Sequence, residues 1–321
     1  MFSNIIQKFR RLYYMFASEL NIKDKNINVY KNNKEKFYEI IKDNKIIKIS
    51  LNNSVTLYDI ICDFDYYFSA VEPVETDEFL VVDYSKPLLH NVVGYELHPV
   101  YCPSAMEPLN IAEQYIDFAK INENSVVIDL GAYAGLTSIL FDQTISSNNN
   151  NAKGIVIAVE ADKTNLSCLI KNLELYKNST NRNIEYFYSA ISDKDGTVEF
   201  LSESNMSSNA VTKNIIIKKL RKGTIIKVPA ITLHSLAEKY NLDKIDFIKC
   251  DIEGSEKYIF EDNLFFEKYS PRIIVETHSV NGIMTTDTVI KTLKKYGYSS
   301  TKLEQNGSQY PLLCFEKDNV N

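Results

Sequence analysis

From about residue 111 onward, short runs of almost unbroken aliphatic residues alternate with longer stretches of helical spacing, and few folds tolerate that pattern. The runs include SVVIDL (125–130), GIVIAVE (154–160), IDFIKC (245–250) and RIIVET (272–277). A strand that is apolar at nearly every position is buried on both faces, which calls for helices on both sides of a parallel sheet. Helical spacing at Ile111–Lys120, Leu136–Phe141, Asn165–Tyr176, Leu233–Tyr240 and Thr286–Tyr296 supplies those helices, and Ile184–Ile191 reads as a further strand. Thr197–Leu201 and Ile225–Pro229 read as a hairpin or excursion. The chain closes on Tyr298–Leu303 and Tyr310–Phe315 with no helix between them, as an antiparallel edge requires. The expected class is α/β: a Rossmann-like, doubly wound, mostly parallel seven-stranded sheet over residues 111–321. Residues 1–110 form an N-terminal α+β extension whose fold the sequence leaves unassigned.

The first run leads directly into Asp129-Leu130-Gly131-Ala132-Tyr133-Ala134-Gly135. In an open α/β sheet, ligands sit beyond the carboxyl ends of the strands, where the strand order reverses. Gly131 and Gly135 let the backbone turn sharply and come close to a ligand. A dinucleotide-binding turn would carry a second glycine at position 133, so that the pyrophosphate can rest on the helix N-terminus. Here that position is Tyr133. A ligand without phosphate is not disfavoured, and S-adenosylmethionine, with its sulfonium, amino-acid end, ribose and adenine, is one. The acidic Asp129 suits its cationic groups. Glu160 ends the second run, where a carboxylate accepts hydrogen bonds from ribose hydroxyls. Such a carboxylate is expected at an exposed strand end, with Ala161 following it. Ser189 and Ala190, near the end of the third strand, are candidates for the adenine edge.

These segments resemble the FkbM family of S-adenosylmethionine-dependent methyltransferases. The resemblance covers about Ser125 to Phe315. It is carried by VVIDLGAYAG (126–135), VIAVEADKTNLSCLIKNL (156–173), SAISDKDGTVEF (189–200) and ITLHSLAEKYNLDKIDFIKCDIEGSE (231–256). The Lys-x-Asp-x-Glu-Gly ending of the last is its most specific element. RIIVETHS (272–279) resembles the family's next strand, which tends to end in Glu-x-His. His234 departs from it, standing where the family more often has Asp; this reads as a surface change. The resemblance implies the class I methyltransferase fold, S-adenosylmethionine as cofactor, S-adenosylhomocysteine as product, and methylation of hydroxyl oxygens. The acceptors it implies are sugars of glycans or glycolipids, or other small metabolites.

Methyl transfer to oxygen is an in-line displacement that gains from alignment and from a base for the hydroxyl proton. Asp251, Glu253, Glu276 and His278 follow the fourth and fifth strands and belong at the cofactor's edge of the sheet. His278 is the candidate base, since an ordinary imidazole titrates near pH 6.5. Asp251 is a candidate to act as base, to place the acceptor, or to face the sulfonium. Glu253 is a candidate catalytic acid, or ties Gly254 and the helix start that follows. Asp251 with a second carboxylate suits Mg²⁺, but no third ligand stands out, so no metal is expected. The cofactor set is Asp129, Gly131, Ala132, Tyr133, Gly135, Glu160, Ala161, Ser189, Ala190 and Asp251. A nicotinamide-dependent oxidoreductase and a non-catalytic binding module of the same fold are the competing readings.

Charge narrows the partners. The chain's formal charge is −6, which argues against nucleic acid. Residues 1–50 hold eleven Lys/Arg against five Asp/Glu, so the remainder is the more acidic part. Phe2, Ile5, Phe9, Leu12, Phe16 and Leu20 recur at helical spacing with Lys8, Arg10 and Arg11 between them. Such a helix packs on its own core, joins a homodimer, or lies on an anionic membrane surface. No run reaches the roughly 18 apolar residues of a membrane span, and neither a signal peptide nor paired cysteines are legible. A cytoplasmic protein, at most peripheral to a membrane, is expected. The polar and then basic stretch 202–224 and the N-terminal region, including Tyr101–Pro108, are candidates to border the acceptor.

Overall fold

The computed structural model describes residues 22–24, 26–147, 149, 151–202, 209–210, 224–280, 283–305 and 311–318. The amphipathic segment expected at Phe2–Leu20, nearly all of 202–224, and Tyr310 lie outside the described residues. The chain divides into two compact units, the first made mainly of residues 1–109 and the second mainly of residues 110–321.

The first unit holds β1 (Ile22–Asp24), β2 (Ile27–Asn32), β3 (Phe37–Lys42), β4 (Lys45–Ser50), α1 (Ser54–Cys62), α2 (Phe64–Ser69), β5 (Val74–Glu75), β6 (Leu80–Tyr84), β7 (Leu88–His90) and β8 (Val100–Cys102). Six of these strands make a sheet in the order β1-β2-β3-β4-β6-β5. β1 to β4 form an antiparallel meander, while β4 and β6 run parallel. In β2, Ile27 and Val29 are buried while Asn28 and Tyr30 are not, the alternation of a strand with one face to a core. Tyr38, Ile40, Ile47 and Ile49 continue that core, with Leu57 and Ile60 of α1 and Phe64 of α2 buried in the same unit.

The second unit begins with α3 (Asn110–Ala119), β9 (Val126–Leu130), α4 (Leu136–Ser146), β10 (Ile155–Glu160), α5 (Lys163–Thr180) and β11 (Glu185–Tyr188). Then come β12 (Ala190–Ile191), β13 (Gly196–Ser202), β14 (Asn209–Ala210), β15 (Thr224–Ile231), α6 (Leu233–Lys239), β16 (Phe247–Cys250), α7 (Glu256–Ile259) and α8 (Asn263–Lys268). The unit ends with β17 (Arg272–Val275), β18 (Ser279–Val280), β19 (Ile283–Met284), α9 (Thr286–Lys294), β20 (Tyr298–Leu303) and β21 (Leu312–Lys317).

Seven strands form the main sheet in the order β11-β10-β9-β16-β17-β21-β20. β11, β10, β9, β16 and β17 are parallel, and β21 lies antiparallel between β17 and the edge strand β20. This is the doubly wound α/β sheet expected. Ile128, Leu130, Ile157, Val159, Ile248 and Val275 face one core with Leu233 and Leu236 of α6, Phe265 of α8 and Leu293 of α9. On the other face Phe247 meets Phe118 of α3 and Phe141 of α4 edge-on, with ring centroids 6.4 and 5.5 Å away. The strand order reverses between β9 and β16, so their carboxyl ends flank the crevice where this architecture binds ligands.

The single strand read over Ile184–Ile191 is in fact two. It breaks at Ser189, and β12 leaves the main sheet to pair in parallel with β15. β15 and β13 are neighbours in the resulting four-stranded sheet, order β12-β15-β13-β14, so the excursion is a small sheet of its own. Among the described residues, no helix is long and apolar enough to cross a membrane. All five cysteines are free.

Candidate active site

The turn after β9 is closed by a Gly135 N–H to Ala132 carbonyl bond of 2.7 Å and is tied to its neighbours as well. Gly131 and Ala132 both donate to the Val159 carbonyl at 3.0 Å, and the Tyr133 N–H donates to Glu160 Oε2 at 2.9 Å. Gly131, Tyr133 and Gly135 all have positive φ, at 76°, 51° and 83°. For Tyr133 that conformation is uncommon, and its hydrogen bond to Glu160 is what holds it there. Asn172 of α5 braces the turn from behind, donating to the Ala134 carbonyl at 2.8 Å.

Asp129 is fully buried in β9. One oxygen accepts from the Ser138 hydroxyl at 2.6 Å. The other, Oδ1, has no hydrogen-bond partner among the described residues. The nearest positive charge is the Lys249 ammonium of β16, 3.4 Å from Oδ1. Asp129 and Lys249 are register partners on adjacent parallel strands, which is why they meet. Lys249 also donates to the Gly131 carbonyl at 2.9 Å and lies 3.5 Å from Asp251 Oδ2. Burial works against its charge, but Asp129, Asp251 and Glu276 outweigh burial and hold its pKa above the ordinary lysine value. Lys249 has no role in the sequence reading. Its signal was there: a lone charge inside an otherwise apolar strand.

Glu160 differs from expectation. Its carboxylate is buried, not exposed, because three backbone N–H groups close over it. Oε2 takes Tyr133, and Oε1 takes Ala161 at 2.8 Å and Asp162 at 2.6 Å. Burial raises its pKa to about 7, against the opposing pull of these donors. Ala161 and Ala190 are buried close by in one small apolar cluster. The Ser189 hydroxyl is taken up by the backbone, within 2.9 Å of the Ala190 carbonyl and 3.0 Å of that of Pro229.

Past β16 the chain turns through Glu253 and Gly254, with φ 54° and 103°. This turn and the end of β17 bring Asp251, Glu253 and His278 together. His278 Nε2 lies 3.5 Å from Asp251 Oδ1 and 3.7 Å from Glu253 Oε1. Its Nδ1 lies 2.6 Å from Oε1 of Glu256, a fully buried carboxylate absent from the sequence reading. Glu256 also accepts the Gly254 N–H at 2.9 Å, the tie the sequence suggested for Glu253. Burial lowers the pKa of His278, but Glu253, Glu256 and Asp251 overcome this and hold it well above the ordinary histidine value. It is therefore not the imidazole titrating near pH 6.5 that the sequence suggested. Glu276 takes a hydrogen bond from Gln305 at 3.2 Å, and burial raises its pKa. His234 lies in α6: its N–H donates to Asp262, the residue ahead of α8, at 2.9 Å and its ring lies 3.3 Å from Glu238.

No protein of curated function matches the chain. Among solved structures, it is similar to a methyltransferase FkbM from Methylobacillus flagellatus KT (14% identity, TM-score 0.40), covering 96% of this chain and 59% of that one. It is similar to a putative transferase from Pyrococcus horikoshii (13%, TM-score 0.40), covering 95% and 97%. A third is the O-methyltransferase from Bacillus cereus in complex with SAH (14%, TM-score 0.38), covering 66% and 82%. Likenesses this distant carry no argument here; the strand order and the family match do. Residues 129–300, more than half of the chain, match the methyltransferase FkbM domain, and the chain belongs to that family.

Proposed function

We propose that the protein is an S-adenosylmethionine-dependent O-methyltransferase that methylates a hydroxyl of a sugar, in a glycan or glycolipid, or of another small metabolite. The observation that carries this reading is the contact between two groups of residues at the strand-order reversal. The turn Gly131–Gly135, with Asp129 and Glu160, meets the end of β16 where Asp251, Glu253 and His278 cluster.

The donor set fits the cofactor. Asp129 keeps a buried oxygen without a hydrogen-bond partner among the described residues, and Glu160 places a carboxylate at the tip of β10, where a ribose is held in this architecture. We assign cofactor contacts to Asp129, Gly131, Ala132, Tyr133, Gly135, Glu160, Ala161, Ser189, Ala190 and Asp251. When bound, S-adenosylmethionine supplies the methyl group, whose bond to sulfur breaks with its electron pair left on sulfur as the acceptor oxygen attacks. Asp251 and Glu253 receive the acceptor hydroxyl, and Asp251 takes its proton. His278, held protonated by three carboxylates, orients Asp251 and Glu253. Phosphate binding is not favoured, since Tyr133 occupies the place of a fingerprint glycine.

The test is transfer of radiolabelled methyl from S-adenosylmethionine to a panel of methyl glycosides and hydroxylated metabolites, with the product identified as a methyl ether. His278→Ala is expected to lower turnover while leaving S-adenosylhomocysteine affinity unchanged. Transfer to nitrogen or carbon only would overturn the assignment to oxygen.

A further inference from the structure

The cluster at the end of β16 is also built as a metal site. We propose that Asp251, Glu253 and His278 bind one divalent transition-metal ion of the Mn²⁺ type. The carboxylate oxygens and imidazole nitrogen of these residues all lie within 4.8 Å of one another. Nε2 of His278 stands 3.5 Å from Asp251 Oδ1 and 3.7 Å from Glu253 Oε1. Ligands about 2.1 Å from one ion are separated by roughly 3.0 to 3.4 Å in octahedral or tetrahedral geometry. The two distances from the imidazole nitrogen exceed that range by only a few tenths of an ångström.

A second observation points the same way. Glu256 is withdrawn from solvent entirely, and its Oε1 lies 2.6 Å from His278 Nδ1. That contact keeps a hydrogen on Nδ1 and turns Nε2 toward Asp251 and Glu253, so an arriving ion displaces the Nε2 proton to solvent and takes over its place between them. Histidines that bind metals are held in this manner, the far nitrogen donating to a buried carboxylate. The other oxygen of Glu256, Oε2, has no hydrogen-bond partner among the described residues. Three carboxylates surround the one imidazole, and a dication complements their charge.

The donor set also selects the ion. One imidazole with two carboxylates suits Mn²⁺, Fe²⁺ or Zn²⁺ better than Ca²⁺, which prefers six or more oxygens. Three protein ligands leave positions open. The use of the ion rests on the function proposed above: two adjacent open positions take two neighbouring acceptor oxygens, which narrows the substrate class to vicinal diols and α-hydroxycarbonyl compounds. The sequence offers no convincing third ligand to join Asp251 and a second carboxylate, because it presents His278 as the candidate base. The third ligand, His278, arrives from the next strand.

The test uses the full chain, freed of metal with a chelator and titrated with MnCl₂ while free Mn²⁺ is followed by paramagnetic resonance. One Mn²⁺ per chain is expected. His278→Ala should abolish binding, and Glu256→Gln should weaken it about 10- to 100-fold. Circular dichroism and S-adenosylhomocysteine affinity, both unchanged, would show the variants folded. Should His278→Ala not fold, Glu253→Gln serves the same purpose. If the folded wild type binds none of Mn²⁺, Zn²⁺ or Mg²⁺, or if His278→Ala binds as tightly as wild type, the metal site is overturned. Binding of S-adenosylhomocysteine without metal removes the ion and leaves the methyltransferase reading; metal binding without S-adenosylhomocysteine does the reverse.

Discussion

The carbonyl oxygen of Asp251 fills the space that a side chain at Gly131 would need: a Cβ built on Gly131 falls 1.8 Å from it. The turn after β9 and the start of the acidic cluster thus approach each other backbone to backbone. Gly131 also has a φ of 76°, which disfavours any side chain. We expect Gly131→Ala to destabilise the protein by about 3 kcal/mol or more, as other overpacked sites do, and to abolish S-adenosylhomocysteine binding. Thermal unfolding and calorimetry check both; an unchanged midpoint and affinity would refute the contact.

Glu160 predicts a pH dependence. Its pKa of about 7 in the folded chain lies above the ordinary 4.5, so between these values the folded state keeps a proton that the unfolded state has lost. Its contribution to stability is fullest below the lower value and is lost as pH rises through 7. Binding of ribose runs the opposite way, because hydroxyls donate to the carboxylate form. Methylthioadenosine, which has the ribose but no amino-acid end, should bind more tightly from pH 6 to 8, by up to about tenfold. The slope should vanish in Glu160→Gln. A slope retained in that variant would belong to another group. Glu160→Ala is a poorer probe, since it strips three backbone N–H groups of their acceptor.

Asp142 of α4 is fully buried and receives a two-pronged bond from Arg182, at 2.6 and 2.7 Å, and the Tyr176 hydroxyl at 2.8 Å. Asp142→Ala leaves the guanidinium and hydroxyl without their acceptor, and we expect a loss of about 3 kcal/mol or more. Replacing all three, as Asp142→Leu with Tyr176→Phe and Arg182→Met, should restore much of it. Urea denaturation of the two variants gives the comparison; a triple variant weaker than the single one would contradict it.

Lys249 joins Asp129, Asp251 and the Gly131 carbonyl. Lys249→Met leaves Asp129 buried and unpaired, at a cost of about 3 to 5 kcal/mol. A loss below about 1 kcal/mol in denaturant unfolding would contradict the pairing.

The main sheet was legible because strands covered on both faces must be apolar at nearly every position, as in VVIDL and IVIAVE. The N-terminal sheet stayed unassigned, since short half-exposed strands mix polar and apolar residues, as in β2 and β4. The break at Ser189 was hidden: Ser189 donates its N–H to the Glu160 carbonyl at 3.2 Å, and the next residue then pairs with β15. Which residues follow the strands, from Asp129 to His278, could be read directly. Their electrostatic state could not. Glu160 is closed over by backbone donors that sequence does not display. His278 is recharged by Glu253 and Glu256, which approach from a different strand's end.

The most direct test of the central claim is calorimetric titration of the folded protein with S-adenosylmethionine and, separately, S-adenosylhomocysteine. The account predicts saturable one-to-one binding of both, weakened by Glu160→Gln. Binding of neither by folded protein would contradict it.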